Sequence, residues 1–125
     1  MSNTLQNSAK NAFLSDLLTD DIRVVLVDTA LYTYSAAHSN ISDVAVGARV
    51  ATSSAMTGKT VTNGVFDADD VSFASVSGAT IEAIWIYNHT SGVLLVYIDT
   101  ATGLTLTPNS GGVTVQWNAS GIFGL

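Results

Sequence analysis

The sequence predicts a mainly β fold: a single antiparallel β-sandwich or barrel-like domain with one N-terminal α-helix. Apolar residues recur at helical spacing only before Leu18, and strand-like apolar runs begin at Ile22. From there, turn signals recur about every 8–12 residues, as in sandwiches and barrels. A length of 125 residues suits one domain. We therefore expect one domain over residues 1–125, with a helix or arm over 1–20 and a β-rich core over 21–125.

The composition excludes several classes of protein. Charged residues make up 11 % of the chain and apolar residues 47 %, whereas disordered chains are highly charged and poor in apolar residues. The net charge is −6 with four Lys and Arg in total, so a basic face for nucleic acid is not expected. No apolar run approaches the roughly 20 residues of a membrane span. The low charge indicates either a surface partly covered by other subunits or a surface made polar by Ser, Thr, Asn and Gly.

The first segment is predicted to be an amphipathic helix capped by Asn3 or Thr4. Its apolar residues recur at spacings of three and four and so share one face of a helix. This stripe consists of Leu5, Ala9, Ala12, Phe13 and Leu17. We expect the stripe to pack on the sheet of its own chain, because a short helix gains most of its stability from tertiary packing. Docking on a neighbouring subunit is the alternative.

The first predicted strand is "IRVVLVDT", whose near-continuous apolar run indicates burial on both faces of a sheet. A long connection, "ALYTYSAAHSNISDVAVG", follows, with a short helical turn expected over residues 40–46. "ARVATSSA" then resumes the β pattern. The sequence thus predicts one buried strand before a long excursion away from the sheet.

Two hairpins are predicted in the second half of the chain. Asn63-Gly64 lies between "KTVT" and "VF", and both turn residues tolerate the positive φ of a type I′ turn. Ser91-Gly92 lies between "TIEAIWIYNH" and "VLLVYIDT", which read as paired strands. "VSFASV" and "LTLTP" are further predicted strands, and "GGVTVQWNASGIFGL" supplies one or two more.

The acidic stretch "FDADD" carries three aspartates, Asp67, Asp69 and Asp70, within four residues. Asp67 and Asp69 have the alternation of a calcium loop, but Asp70 breaks it, and Glu82 is too distant to complete such a loop. Aspartates also stabilise turns by accepting backbone hydrogen bonds. We interpret this stretch, the acidic elbow, as a turn between strands, with an irregular calcium site as the alternative.

No catalytic constellation is recognisable. The only histidines are His38, in a polar loop, and His89, next to a predicted turn. The chain has no cysteine and none of the common nucleophile, zinc or phosphate-loop motifs. We therefore predict no catalytic residues, no metal site and no cofactor, and hence a protein that is not an enzyme.

The aromatic residues of the second hairpin allow two interpretations. Trp85 and Tyr87 alternate with aliphatic residues on one strand, and Tyr97 lies across the predicted hairpin. Flat aromatic faces suit sugar ligands, so this face is a candidate sugar platform. Because Ile81 and Ala83 share the same strand face, a packed core face is the favoured interpretation.

Several stretches together resemble small structural proteins of tailed bacteriophages. They are "AFLSDLL", "DDIRVVLVDTALYTYS", "GARVATSSAMTGKTVTNGVFDADDVSF" and "IDTATGLTLTPNSGGVTVQWNASGIFGL", which cover most of the chain. The resemblance implies a virion component in which the acidic elbow belongs to the β framework. A capsid decoration (cement) protein is the leading expectation, and a tail or tail-tip subunit or a host-surface-binding module is the alternative. The partners expected from the resemblance are other copies of the chain and other virion proteins, above all the major capsid protein.

Both ends of the chain are apolar, and a few buried apolar anchors dominate most protein contacts. We therefore select five candidate interface residues near the termini. They are Leu5, Phe13, Leu17, Phe123 and Leu125.

Overall fold

The computed structural model of the chain describes residues 3–101 and 103–125. Strands account for 32 % and helices for 15 %, so the predicted mainly β fold is confirmed. The elements are α1 (Asn7–Leu14), α2 (Asp16–Thr19), β1 (Ile22–Val27), β2 (Arg49–Thr52), β3 (Thr60–Thr62), β4 (Val65–Asp67), β5 (Val71–Phe73), β6 (Ala83–Asn88), β7 (Leu94–Ile98), β8 (Val113–Val115) and β9 (Phe123–Gly124). Met1 and Ser2 of the predicted N-terminal arm lie outside the described residues. Within the described part of the chain, no helix is long and apolar enough to cross a bilayer.

The strands form three antiparallel sheets. A four-stranded sheet has the order β2-β1-β6-β7, a three-stranded sheet the order β3-β4-β9, and a two-stranded sheet pairs β5 with β8. Over residues 3–101 and 103–125 these sheets do not close into a barrel. Strands β1 and β6 are central, whereas β2 and β7 are the edges of the large sheet.

Strand β1 is buried on both faces, as its apolar run predicts. Val24 belongs to an apolar cluster that also includes residues of α1, α2, β4 and β5. Val25 and Val27 face the other way, into a second cluster with Trp85 and Tyr87 of β6. The alternation of successive side chains across a strand therefore divides β1 between two cores. Burial of both faces fixes β1 and β6 as the centre of the fold.

The second face of the large sheet is covered by the connection between β1 and β2, residues 28–48. Tyr32, Val44 and Ala48 of this connection are buried in the second cluster. Two 3₁₀ turns, Ile41–Asp43 and Val46–Ala48, stand where a helical turn was predicted. Asn40 caps the first by accepting a 3.0 Å hydrogen bond from the backbone N–H of Ser42. A long loop thus covers this face of the large sheet, whereas in a sandwich a second sheet covers it.

Both predicted hairpins are present. In the turn between β3 and β4, Asn63 has φ 51° and Gly64 has φ 77°, the positive values that a type I′ turn requires. Strands β6 and β7 pair through the turn that contains Gly92. The predicted strand at "LTLTP" is wrong, because Leu106 forms only an isolated bridge with Ile81. The last segment supplies two short strands, β8 and β9.

Helix α1 packs on the β3–β4 hairpin through its more polar face. Asn7, Lys10, Asn11 and Leu14 have the i, i+3, i+4, i+7 spacing of one helix face. The Asn11 side-chain oxygen accepts a 2.7 Å hydrogen bond from the Gly64 backbone N–H. Lys10 covers Gly64 so closely that a Cβ there would lie 2.5 Å from the Lys10 Cδ. Hydrogen bonds and close contact at a glycine turn therefore dock this helix.

The predicted apolar stripe does not form one face of α1, because Leu5 precedes the helix and Leu17 lies in α2. Phe13 is 67 % exposed and Leu5 is 45 % exposed, whereas Leu17, in α2, is 7 % exposed. The expectation that the stripe packs on its own sheet is therefore wrong for Leu5 and Phe13 and correct for Leu17. The predicted cap is also wrong: the helix begins after Gln6, which makes no side-chain capping bond.

Candidate functional site

One of two concave sites of similar volume in the described part of the chain is a groove between loop residues 34–38 and the edge strand β7. Its volume is about 330 Å³. The lining residues are Tyr34, Ser35, Ala36, His38, Trp85, Leu94, Leu95 and Tyr97. Aromatic rings thus border a groove whose remaining lining is small, polar or aliphatic.

Three stacked aromatic side chains border this groove. Tyr34 packs on Tyr97 with ring centroids 4.7 Å apart and on Trp85 at 6.1 Å, both with an interplanar angle of 28°. Trp85 and Tyr97 are cross-strand partners in the β6–β7 hairpin, with ring centroids 5.0 Å apart. Trp85 is 5 % exposed and Tyr34 is 49 % exposed. The cluster therefore has a buried base and an accessible outer ring.

The base of the cluster is held by a second set of contacts. The hydroxyl of Tyr32 lies 2.8 Å from His38 Nδ1, so the two side chains share a hydrogen bond. Tyr32 also meets Trp85 edge to face, with ring centroids 6.4 Å apart. The indole nitrogen of Trp85 is buried and forms no hydrogen bond of normal geometry with the described residues. Burial raises the pKa of the Tyr32 hydroxyl, and a weaker interaction with the indole opposes that rise.

The electrostatics of the groove depend on which side chains line it and on where the cationic residues of the chain lie. The four cationic side chains of the chain are used elsewhere: Arg23 pairs with Asp21 at 2.8 Å, and Arg49 and Lys59 donate to backbone carbonyls. Lys10 lies on α1 against Gly64. None of the described residues that line the groove is a lysine, arginine or carboxylate. The described lining of the groove therefore offers an anionic ligand no lysine or arginine as an ion-pair partner.

Two buried tyrosines and one half-buried tyrosine predict how stability responds to alkaline pH. Burial raises the pKa of Tyr32, Tyr87 and Tyr97 above the ordinary tyrosine value, which is about 10. The unfolded chain loses these protons first, so stability that is present below about pH 10 should fall as pH rises through the folded-state pKa values. Urea midpoints measured across this range, with tyrosinate absorbance in parallel, check the prediction. An unchanged midpoint while all tyrosines ionise near their ordinary pKa would contradict it.

The acidic elbow connects β4 to β5, as predicted. Asp67 Oδ1 accepts a 2.9 Å hydrogen bond from the Ala68 backbone N–H, and Asp70 Oδ1 accepts a 3.0 Å bond from the Trp117 backbone N–H. Asp69 Oδ2 accepts a 3.2 Å bond from the Thr57 hydroxyl. Asp69 and Asp70 therefore join the connection to segments distant in sequence, whereas the bond of Asp67 lies within it.

Removal of divalent cations should leave the protein's stability unchanged. Among residues 3–101 and 103–125, no group of three or more histidine or acidic side chains is arranged to hold a metal ion. The three elbow carboxylates already accept hydrogen bonds. We expect the same melting temperature with and without a chelator. A fall of more than about 5 °C, on the order of 1 kcal/mol for a domain of this size, would contradict this prediction, and re-addition of calcium would then identify the ion.

The five candidate interface residues do not form one surface. Leu5, Phe13 and Leu125 are exposed by 45 %, 67 % and 55 %. Leu17 lies in the chain's own core, so its side chain is not free for a partner. Phe123 is half-buried and packs on Phe66 with ring centroids 5.3 Å apart. An interface role therefore stays a prediction for the three exposed residues, whereas Leu17 and Phe123 stabilise the fold.

The structure agrees only in part with the sequence interpretation of the aromatic residues in the β6–β7 hairpin. Trp85 and Tyr87 are buried, in agreement with the favoured core interpretation, but Ile81 belongs to the opposite cluster. The exposed ring comes from Tyr34 in the long connection, which sequence reasoning did not select. Tyr32 and Tyr34 are two residues apart in the segment that follows a buried strand. This alternation is the signal that one ring points inward and the other outward.

Comparison with known proteins does not identify a family for this chain. No protein-family model matches the chain, and no curated protein matches it significantly.

Proposed function

We propose that the chain is a non-enzymatic structural subunit of a tailed-phage virion, and that it acts as a capsid decoration (cement) protein. In this role it bridges neighbouring shell subunits in many copies. The proposal extends the resemblance of "TGKTVTNGVFDADDVSF" and its flanking stretches to small phage structural proteins. The observation that carries it in three dimensions is the exposed apolar stripe of α1.

The stripe supports a contact with another chain because its exposure is unusual for a short helix. Surface helices normally turn their apolar face toward the core. Here Asn11 and Leu14 face the β3–β4 hairpin, while Leu5, Ala12 and Phe13 remain exposed. Ala12 and Phe13 are adjacent in α1, and exposed apolar groups that lie together favour an interaction site over a solvated surface.

The energy available from this contact suits repeated weak bonds within a shell. Phe13 is 67 % exposed, and burying that part of the residue on a partner contributes on the order of 3 kcal/mol at about 25 cal/mol per Å². Many such contacts around a particle stabilise it collectively. The net charge of −6 favours the outer surface of a shell, away from packaged phosphate.

Copy number tests the proposal and separates it from its nearest alternative. The chain would be quantified by mass spectrometry in purified particles, with the major capsid protein as the internal standard. We expect hundreds of copies per particle, in a fixed ratio to the capsid protein. A few dozen copies would instead indicate a tail subunit, and absence of the chain from purified particles would overturn the virion proposal.

A further inference from the structure

We propose that the groove between residues 34–38 and β7 binds a single neutral sugar ring, stacked against the cluster of Tyr34, Trp85 and Tyr97. The ligand class is an uncharged hexopyranose, free or at the end of a glycan. This inference does not depend on the virion role, since it concerns a site on the isolated chain.

The size and shape of the groove favour a small, flat ligand. Its volume of about 330 Å³ is at the lower end of the range for small-molecule sites, roughly 300–1,000 Å³. Tyr34 is 49 % exposed, so part of its ring is accessible. The face of an aromatic ring is negative, and it attracts the weakly positive C–H groups on one side of a pyranose. Its contacts with Tyr97 and Trp85 hold the Tyr34 ring in place before a ligand arrives.

The polar groups at the groove match a ligand that carries several hydroxyls. The hydroxyls of Tyr34 and Tyr97 make no hydrogen bond to any other described residue, so both are available to donate and accept. His38 uses Nδ1 for Tyr32, which leaves Nε2 for a ligand. A tyrosine hydroxyl is protonated at neutral pH and so can donate, and burial raises the pKa of Tyr97 further. A sugar hydroxyl both donates and accepts, and it therefore pairs with each of these groups.

The electrostatics exclude acidic sugars. No lysine or arginine lines the groove among the described residues. The nearest charges that act on Tyr97 are the carboxylates of Asp99 and Glu82. These carboxylates would repel an anionic ring such as a uronic acid, which would find no lysine or arginine there to offset the repulsion. Neutral rings meet no such penalty.

The packing of the rings also leaves no enclosed cage for a quaternary ammonium ligand, the other common guest of aromatic clusters. Such a cation sits between ring faces that surround it. Here Tyr34 already lies 4.7 Å from Tyr97, centroid to centroid, at an interplanar angle of 28°. The faces therefore contact each other, and no space for a cation remains between them. A ligand has to use the outer surface of the cluster, which suits a flat sugar ring.

Binding is best measured by ¹H–¹⁵N NMR titration of the full chain with the methyl glycosides of glucose, galactose, mannose and N-acetylglucosamine. We expect at least one to shift amide signals of residues 34–38 and 94–97, with a Kd of about 1–10 mM. Tyr34→Ala should weaken binding roughly two- to tenfold, the loss of one stacking contact. Tyr34→Phe should retain most of it, and Phe13→Ala, which removes an exposed aromatic ring elsewhere, should change nothing.

Three outcomes would overturn the proposal. The first is no shift at these residues with any of the four glycosides up to about 50 mM, well above the expected Kd. The second is stronger binding of choline or methyl glucuronide than of the neutral glycosides. The third is concentration-dependent broadening of the same signals without ligand, which would show that a second copy covers the groove along the open edge of β7. If Tyr34→Ala does not fold, the Tyr34→Leu variant replaces it, because leucine keeps apolar burial but removes the flat ring.

Discussion

Replacing Phe66 with alanine should lower the free energy of unfolding by about 3–5 kcal/mol, the usual cost of deleting a buried phenylalanine. Phe66 is fully buried in β4 and packs on Phe123 of β9. It also belongs to the apolar cluster between the large sheet and the two smaller ones. Domains have only about 5–15 kcal/mol of stability in total, so the variant should be close to unfolding. Urea denaturation followed by circular dichroism measures the change.

Leu31→Ala is the matched control for this variant. Leu31 is 62 % exposed, so its truncation should change stability by less than about 0.5 kcal/mol. A Phe66→Ala variant as stable as this control would contradict the packing of β4 on the common core.

The packing around Phe66 also involves the C-terminal residues 122–125. The backbone N–H of Ile122 donates a 2.8 Å hydrogen bond to the Phe66 carbonyl, and that of Leu125 donates a 3.0 Å bond to the Gly64 carbonyl. Deleting residues 122–125 therefore removes β9 and uncovers Phe66. Such a truncation tests folding as much as any contact with a partner, and point substitutions at exposed residues are the sharper choice.

The features that the sequence predicts correctly depend on neighbouring residues. The hairpin at Asn63-Gly64 follows from the positive φ that these two residues tolerate. Burial of both faces of β1 follows from its continuous apolar run. In each case the physical cause of the feature lies in a few adjacent residues, so it can be predicted without knowledge of contacts distant in sequence.

The packing of α1 could not be predicted in the same way. Apolar periodicity shows that a helix has an apolar face, but not which chain covers that face. Here the docking energy comes from a turn distant in sequence: Asn11 accepts a hydrogen bond from Gly64, and Lys10 fills the space above that glycine. The polar face therefore packs inward, and the apolar stripe with Phe13 remains outside.

The aromatic groove was missed for a related reason. The pairing of Trp85 with Tyr97 is local to one hairpin and was expected. The stacking of Tyr34 on both depends on how the connection over residues 28–48 folds back across the sheet. Sequence separation hides such contacts, because the loop that carries Tyr34 has no repeating pattern that indicates its path.

Replacing both Leu5 and Phe13 with serine should sharply reduce incorporation into particles while leaving the fold intact. Both side chains are largely exposed, so the free energy of unfolding should change by less than about 0.5 kcal/mol per site. If the stripe docks on a capsid subunit, the loss of Phe13 burial alone, on the order of 3 kcal/mol, weakens each contact about a hundredfold. Occupancy is measured by adding the purified variant to particles that lack the protein.

The Leu31→Ser variant controls for apolar exposure in general, because Leu31 is exposed but lies in the connection after β1 and not on α1. It should bind particles as the unaltered chain does. Full occupancy by the Leu5 and Phe13 double variant would show that the helix stripe does not mediate docking. Loss of binding by the Leu31 variant alone would place the contact on the loop face of the large sheet.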